Sequence, residues 1–234
     1  MKAYTVHELA KMIDHSLLRP ELDDKMLEEG IELARKYDTA TICIKPYYVP
    51  RSAELLKGSD VKVSTVIGFP HGGNITEVKF HEAREAISQG AKELDIVCNI
   101  GKVLSGDWDY VSRELATLTG FCRKSGVLTK IIFENCYLND IQKSRMCEVC
   151  ERVGADFVKT STGFGTGGAI DADLRLMRAN CSPKVQVKAA GGVRTLDRLL
   201  EVAALGVTRV GATATAAILD EAAKRVAEGK ALEA

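Results

Sequence analysis

Two lysines near the ends of apolar segments are the side chains of this sequence that point most directly to chemistry. Lys159 follows Val158 and precedes small hydroxyl residues, and Lys188 occupies the same place after Val187. A lysine amine is a poor nucleophile while it is protonated, with an ordinary pKa of about 10.4, but burial or a second cation lowers that pKa. The sequence therefore predicts that Lys159 is a nucleophilic amine and that Lys188 supplies the neighbouring cation.

Asp95 is the carboxylate that we expect beside these two amines. An imine between a lysine and a carbonyl compound needs a group that moves protons to and from the carbinolamine and the reacting hydroxyl. We assign this role to Asp95, with simple charge balance as the alternative. Lys130 and Glu134, two charged residues of another apolar segment, are expected to form a supporting pair that tunes the site.

Glycine-rich segments follow three of the apolar runs and predict a phosphate site. Backbone N–H groups at such turns and at helix N-termini bind phosphate, and barrel enzymes commonly place this site after strands seven and eight. A tight turn explains any one of these segments equally well, but three at one end favour an anion site, with Arg194 near its rim. The expected phosphate-binding residues are Gly163, Gly191, Gly192, Gly211 and Thr213.

The elements that must position these residues are predicted to be strands with one apolar face and one charged face. Successive side chains of a strand point to opposite faces, so Leu94 and Ile96 oppose Asp95, and three other segments alternate in the same way. Because unpaired buried charge is costly, a charged inner face persists only where its members compensate one another or do chemistry. The residues expected to share one interior are Asp95, Lys130, Glu134, Lys159 and Lys188.

Eight short apolar or β-branched runs recur along the chain, with room for one helix between successive runs. This alternation is typical of a parallel sheet with right-handed crossovers, and eight units in 234 residues match a single α/β domain over residues 1–234, a (β/α)8 TIM barrel. A doubly wound open sheet is the alternative. Thr5 and Glu8 have the spacing of a capping box and predict an N-terminal helix before the first strand. The predicted strands centre near Ile13, Ile42, Val63, Leu94, Ile131, Phe157, Val185 and Val210.

The overall composition argues against several classes of partner. Lys and Arg total 32 and so do Asp and Glu, which gives no electrostatic reason to expect a nucleic acid or an acidic membrane surface. No apolar run reaches the roughly 18 residues that a membrane helix needs. Seven scattered cysteines and the lack of a leader pattern predict a cytoplasmic protein. Cys147 and Cys150 are interpreted as two helix-face thiols, with a metal or redox site as the alternative.

Segments spread over nearly the whole chain resemble one family, the class I deoxyribose-phosphate aldolases. The pair of lysine segments carries the most specific part of this resemblance. It implies a (β/α)8 barrel that reversibly cleaves 2-deoxy-D-ribose 5-phosphate to D-glyceraldehyde 3-phosphate and acetaldehyde. The matching segments are 13–20, 42–46, 66–72, 93–97, 158–163 and 187–192.

The resemblance also implies a role for each matching site residue. Lys159 corresponds to the Schiff-base lysine, Asp95 to the proton donor and acceptor, and Lys188 to the neighbour that lowers the pKa of Lys159. The predicted phosphate residues fall where the family holds phosphate. No cofactor or metal is expected, because the protonated imine acts as the electron sink. The residues expected to support the site are Asp14, Ser16 and Cys43.

One departure from the family pattern bears on the choice of substrate. The family's last strand commonly leads into a Gly-x-Ser-Ser loop, whereas Thr213 and Ala214 stand here, so one phosphate-binding hydroxyl is missing. An aldolase that uses another acceptor aldehyde is therefore an alternative, as is a non-catalytic sugar-phosphate-binding barrel. The family further implies a homodimer or homotetramer whose small-molecule partners are the phosphorylated sugar and acetaldehyde.

Overall fold

Eight parallel strands close into a barrel in the computed structural model, which describes residues 2–234. Each strand pairs with the next along the chain, and the first and last strands close the ring where Asp14 lies opposite Gly211. The fold class predicted from the sequence, a TIM barrel, is confirmed. The strands are β1 (Ile13–Leu17), β2 (Thr41–Ile44), β3 (Lys62–Ile67), β4 (Glu93–Val97), β5 (Leu128–Ile132), β6 (Phe157–Lys159), β7 (Gln186–Ala190) and β8 (Arg209–Ala212).

Helices follow the strands and form the outer layer. The predicted N-terminal helix is present, and its Thr5–Glu8 capping box forms as expected. Short 3-10 turns at Pro46–Tyr48 and Asn135–Tyr137 follow β2 and β5. The helices are α1 (Val6–Ala10), α2 (Asp24–Tyr37), α3 (Val49–Leu55), α4 (Thr76–Ser88), α5 (Ile100–Leu104), α6 (Trp108–Lys124), α7 (Asp140–Val153), α8 (Asp171–Ala179), α9 (Leu196–Ala204) and α10 (Thr215–Ala227).

The main apolar core lies between the strands and this layer of helices. In β4, alternation places Leu94 and Ile96 outward in this core, while Asp95 between them faces the interior of the barrel. Of the predicted strand centres, Val185 lies one residue before β7. The predicted parity therefore holds at Asp95, Lys130, Lys159 and Lys188, whose side chains share the interior of the barrel.

The segments at the two ends of the described chain pair with each other. Tyr4 donates its backbone N–H to Leu232 and Lys2 donates to Ala234, at 2.8 and 2.9 Å. Since Lys2 and Tyr4 precede β1, this pairing lies at the N-terminal end of the barrel, opposite the mouth formed by the strand C-termini. No helix within residues 2–234 is both long enough and apolar enough to cross a membrane.

Candidate active site

Lys159 ends β6 and extends into the barrel. Only 3% of its surface is exposed, and its Nζ lies 2.7 Å from Oδ2 of Asp95 on β4. The preceding residue, Val158, faces the other way and packs in the apolar core. The alternation of a three-residue strand thus delivers one amine to the interior and holds it beside a carboxylate.

Lys188 lies beside Lys159 because the register of β6 and β7 pairs these two residues directly. Just beyond them, the Thr160 hydroxyl accepts from the backbone N–H of Ala190 at 3.0 Å and lies 3.2 Å from the Ala190 carbonyl, so the two strands stay joined. Lys188 Nζ donates to the same Asp95 oxygen as Lys159, also at 2.7 Å. The two lysines predicted from the sequence therefore share one carboxylate oxygen.

Asp95 is fully buried and accepts hydrogen bonds on both of its oxygens. Its Oδ1 lies 2.7 Å from Lys130 Nζ and 3.3 Å from the Ser64 hydroxyl, while its Oδ2 receives the other two lysines. Three lysine amines thus surround one carboxylate. Such a group can pass protons between amines that lie within hydrogen-bond distance of it.

A second set of ion pairs continues from Lys130 and Lys188 toward the N-terminal end of the barrel. Lys130 Nζ lies 2.7 Å from Glu93, and Lys188 also donates to Asp14. Arg209 joins the two new carboxylates, at 2.7 Å from Asp14 and 2.8 Å from Glu93. Asp14 was expected to support the site, and the structure places it there as a partner of Lys188.

Burial and charge act in opposite directions on the pKa values of these groups. Burial alone would raise the pKa of Asp95, but the surrounding lysines outweigh it and hold that pKa well below its ordinary value. Burial likewise lowers the pKa of Lys188, yet the carboxylates of Asp14 and Asp95 more than reverse this effect. For Lys159 burial prevails: its pKa is lowered, with the charge of Lys188 adding to the effect and that of Asp95 opposing it. Lys159 is thus poised to act as a nucleophile, whereas Lys188 stays charged.

The predicted pairing of Lys130 with Glu134 is wrong. Lys130 lies in the interior with Asp95 and Glu93, whereas Glu134 lies beyond the end of β5 in a left-handed conformation with φ +57°. This turn breaks the strand alternation from which a shared inner face was predicted. The Glu134 carboxylate instead accepts from the backbone N–H and the hydroxyl of Thr162, at the start of the glycine-rich loop after β6. Glu134 therefore stabilises the glycine-rich loop after β6.

The predicted phosphate residues fall into two groups in the structure. Gly163, Gly191, Gly192 and Arg194 line one surface depression at the mouth, together with residues 165–170. The loops after β6 and β7 meet here so closely that a Cβ on Gly168 would lie 2.6 Å from the Gly191 carbonyl oxygen.

Gly211 and Thr213 do not line this depression within residues 2–234. Gly211 belongs to β8 and faces the interior near Ala190 and Lys188. Thr213 is exposed just before α10, and Ala214 occupies the N-cap of that helix with no side-chain cap bond. The loop after β8 therefore offers an exposed hydroxyl and a helix N-terminus.

An apolar wall lines the mouth on the side of β1 to β3. Cys43, Leu18 and Val66 form a small cluster with Phe69, which stacks edge-to-face on Phe164 at 5.4 Å between ring centroids. Cys43 is buried, and burial raises the pKa of its thiol, so the thiol is protonated. The other expected supporting residue, Ser16, is half-buried beside it. In β1 and β2 these two residues are direct register partners.

The C-x-x-C pair lies away from this site. Cys147 and Cys150 are both buried on α7, and burial raises the pKa of the Cys150 thiol well above its ordinary value. Within residues 2–234, no group of three or more His, Cys, Asp or Glu side chains is arranged to hold a metal ion. The two cysteines are free thiols packed in the outer layer.

Two members of the interior cluster were missed by the sequence reasoning. Glu93 and Arg209 are the first residues of β4 and β8, where no preceding strand residue shows the alternation. The signal was nevertheless present, because Glu93 stands two residues before Asp95 and therefore shares its face. Arg209 stands in the same relation to Gly211.

Comparison with known proteins agrees with this geometry. A family model described as DeoC/LacD family aldolase matches residues 9–220. The chain is 54% identical over 226 residues to a deoxyribose-phosphate aldolase of Rhodopirellula baltica, covering 97% of this chain and 94% of the relative. It is 47% identical over 213 residues to a deoxyribose-phosphate aldolase of Clostridium perfringens, with coverages of 91% and 95%.

A solved structure shows the same arrangement of the chain. The tetrameric deoxyribose phosphate aldolase of Aeropyrum pernix matches with a TM-score of 0.86 at 29% identity, covering 93% of this chain and 92% of that one. These matches extend over nearly the full length of both proteins, and they confirm the resemblance found in the sequence. The chain belongs to the DeoC/LacD family of aldolases.

Proposed function

We propose that this protein is a class I aldolase, a lyase that reversibly cleaves 2-deoxy-D-ribose 5-phosphate to D-glyceraldehyde 3-phosphate and acetaldehyde. Relatives that match over nearly the whole chain bear the name of this activity. The observation that carries the proposal is the buried Lys159 amine, which has a lowered pKa and lies 2.7 Å from Asp95. Residues 1–234 act as one catalytic domain.

The reaction begins with attack of the neutral Lys159 amine on the C1 aldehyde of the substrate. Asp95 is ionised, so it can accept the proton of the attacking amine and pass it to the carbonyl oxygen as the carbinolamine forms. Loss of that hydroxyl as water then takes up one further proton from solvent. The product of this step is a protonated imine on Lys159. Lys188 donates a hydrogen bond to the same Asp95 oxygen as Lys159, so it serves as a second proton carrier beside Asp95.

Cleavage then uses the imine as an electron sink. The C3 hydroxyl gives up its proton to the Asp95 carboxylate, directly or through water, and the C2–C3 bond breaks. The electron pair of that bond forms a C1–C2 double bond as the imine nitrogen takes up the π electrons, which gives an enamine. D-Glyceraldehyde 3-phosphate leaves. Protonation of the enamine at C2 and hydrolysis by one water molecule then release acetaldehyde and restore the lysine. Ser161 stands two residues after Lys159, and its buried hydroxyl has no protein partner within residues 2–234, so we assign it to bond a substrate oxygen.

The phosphate end of the substrate is assigned to the depression at the mouth. Gly163, Gly191 and Gly192 bring backbone N–H groups close to an anion, and Arg194 adds a positive charge beside them. Thr213 and the N-terminus of α10 lie on the same end of the barrel, after β8. This assignment keeps the reacting aldehyde in the interior and leaves the phosphate near solvent.

Trapping of the imine tests the proposal directly. Acetaldehyde and borohydride should leave an N-ethyl group on Lys159, which peptide mass spectrometry locates. Lys159→Ala should lose both the adduct and turnover of 2-deoxy-D-ribose 5-phosphate, because the nucleophile is gone. Lys184→Ala, which changes an exposed lysine just before β7, should keep both. A folded, pure wild-type protein that forms no adduct on Lys159 would refute the enzyme assignment.

We further propose a homodimer or homotetramer that acts in the cytoplasm. A homologous aldolase structure is described as tetrameric, and this chain exposes several large apolar side chains, among them Ile141 and Ile170. All seven cysteines are free thiols, which supports a reducing compartment.

A further inference from the structure

The charged side chains inside the barrel form one connected cluster whose charges do not balance. We build here on the proposed role of Lys159 as the imine-forming amine. Every member is buried or nearly so, and Arg209 is the most accessible, with 13% of its side chain exposed. The bases are Lys130, Lys159, Lys188 and Arg209, and the acids are Asp14, Glu93 and Asp95.

Four bases face three carboxylates, so full ionisation would leave one positive charge uncompensated in the interior. An uncompensated buried charge is costly, and a lysine in that position releases its proton. Arginine does not release its proton in proteins, so Arg209 cannot be the group that becomes neutral. One of the three lysines must therefore be the neutral base.

The contacts identify Lys159 as that lysine. The other three bases each contact two carboxylates at distances of 2.5 to 2.8 Å. Among the carboxylates of residues 2–234, Lys159 contacts only Asp95, and it shares this carboxylate with Lys130 and Lys188. The ammonium form of Lys159 is thus the least compensated in the cluster.

We propose that Arg209 is a positioning residue that keeps Lys159 in its neutral, nucleophilic form. Its guanidinium engages Asp14 and Glu93 at the end of the barrel opposite the mouth, without contact to the reacting atoms. Because the positive charge of Arg209 is permanent, the cluster loses its excess positive charge by deprotonation of a lysine. That lysine is Lys159, which shares its single carboxylate with two other amines. Without Arg209, three bases would face three carboxylates, and Lys159 would retain its proton.

The other groups that face Lys159 leave this count unchanged. Cys43 on β2 is a neutral thiol, and Ser64 on β3 carries no charge. At the mouth, Glu134 accepts hydrogen bonds from the loop after β6, and Lys45 donates to two backbone carbonyls. Among residues 2–234, no ion pair joins either of these side chains to the cluster.

Two substitutions in the full-length protein test the proposal, because they should move the pH profile in opposite directions. Arg209→Gln removes a cation, so the pH midpoint of acetaldehyde adduct formation on Lys159 should rise by about one unit. Glu93→Gln removes an anion, so the midpoint should fall by a similar amount. The adduct is reduced with cyanoborohydride across a pH series and quantified by peptide mass spectrometry, together with kcat/KM for sugar-phosphate cleavage.

Two matched variants separate charge from structural damage. Arg209→Lys keeps the positive charge and should restore the wild-type midpoint. Lys224→Met makes the same change in net charge at an exposed position of α10 and should leave the midpoint where it is. A role confined to folding would reduce the amount or the maximal rate of active enzyme at every pH, with no movement of the midpoint.

Several outcomes would overturn the proposal. One is an unchanged midpoint in folded Arg209→Gln protein, and another is a shift of both variants in the same direction. If circular dichroism shows that Arg209→Gln does not fold, Glu93→Gln decides alone, since a midpoint that stays or rises contradicts the charge count. A wild-type protein that forms no adduct at any pH would instead refute the proposed function, which is a separate result.

Discussion

At the scale of single residues, the site shifts the pKa values of chemically identical lysines in opposite directions. Lys130 and Lys188 each contact at least two carboxylates, and these charges more than offset the lowering of their pKa values by burial. Lys159 has one shared carboxylate, and its pKa is lowered by burial, with Lys188 as a contributing cation. The carboxylate partners of each lysine therefore decide whether its pKa is raised or lowered.

Substitution of Lys188 tests this reasoning. In Lys188→Leu the neighbouring cation is lost, so the pKa of Lys159 should rise and its neutral form should appear only at higher pH. The midpoint of borohydride-trapped adduct formation should increase by about one unit or more, while the adduct at the highest pH is retained. Lys188→Arg keeps the charge and serves as the control. An identical pH profile in Lys188→Leu and wild type would show that Lys188 does not tune Lys159.

At the scale of elements, two connections hold the site together beyond the strands. Thr160 joins β6 to β7 just past the paired lysines, and Glu134 anchors the first turn of the glycine-rich loop through Thr162. The left-handed backbone of Glu134 carries a steric cost for a non-glycine residue, and these hydrogen bonds offset it. Glu134, just after β5, therefore fixes the loop that contributes Gly163 to the depression at the mouth.

Removing the Glu134 carboxylate should weaken binding of the substrate phosphate and leave the reactivity of the Lys159 amine unchanged. Glu134→Ala leaves the Thr162 backbone N–H without its buried acceptor, so KM for 2-deoxy-D-ribose 5-phosphate should rise about tenfold. Acetaldehyde adduct formation on Lys159 should remain near the wild-type level, because acetaldehyde carries no phosphate. Thr162→Ser preserves the hydroxyl and is the matched control. Steady-state kinetics beside adduct trapping would separate the two effects, and an equal loss of both would contradict the assignment.

The strands also show which residues of the site can be predicted from the sequence and which cannot. Strand alternation predicts the inner placement of Asp95, Lys159 and Lys188, since each stands next to a residue that packs outward in the core. Alternation fails at Glu134, because the strand has already ended in a left-handed turn. It is weakest at Arg209, which begins its strand and whose ion pairs come from residues more than one hundred positions away. Such pairings depend on barrel closure.

At the scale of the whole molecule, a buried ion pair outside the interior cluster joins helices of the outer layer to the barrel. Lys79 on α4 and Glu114 on α6 are almost completely buried and lie 2.8 Å apart. Lys79 also donates to the Val97 carbonyl at the end of β4, at 2.9 Å. No strand pattern predicts this pair, because both residues lie on helices. It joins two helices to β4, the strand that carries Asp95.

Breaking this pair on one side should destabilise the fold strongly. Lys79→Met leaves Glu114 buried and uncompensated, so the free energy of unfolding should fall by about 3–5 kcal/mol. The double variant Lys79→Met with Glu114→Leu removes both charges and should recover a large part of this loss. Urea denaturation of the two variants and wild type measures the difference. A double variant less stable than the single one would contradict the argument from uncompensated charge.

The pairing of residues 2–4 with 232–234 has a practical consequence for handling the enzyme. These segments meet at the N-terminal end of the barrel, whereas Lys159 and the glycine-lined depression lie toward the mouth. A surface linker or a fused partner attached at either segment would therefore emerge on the side opposite the proposed substrate entrance. Because the two segments lie close together, a short peptide could join them. New chain termini could then be placed in a surface loop of the helical layer, which gives a circular permutant.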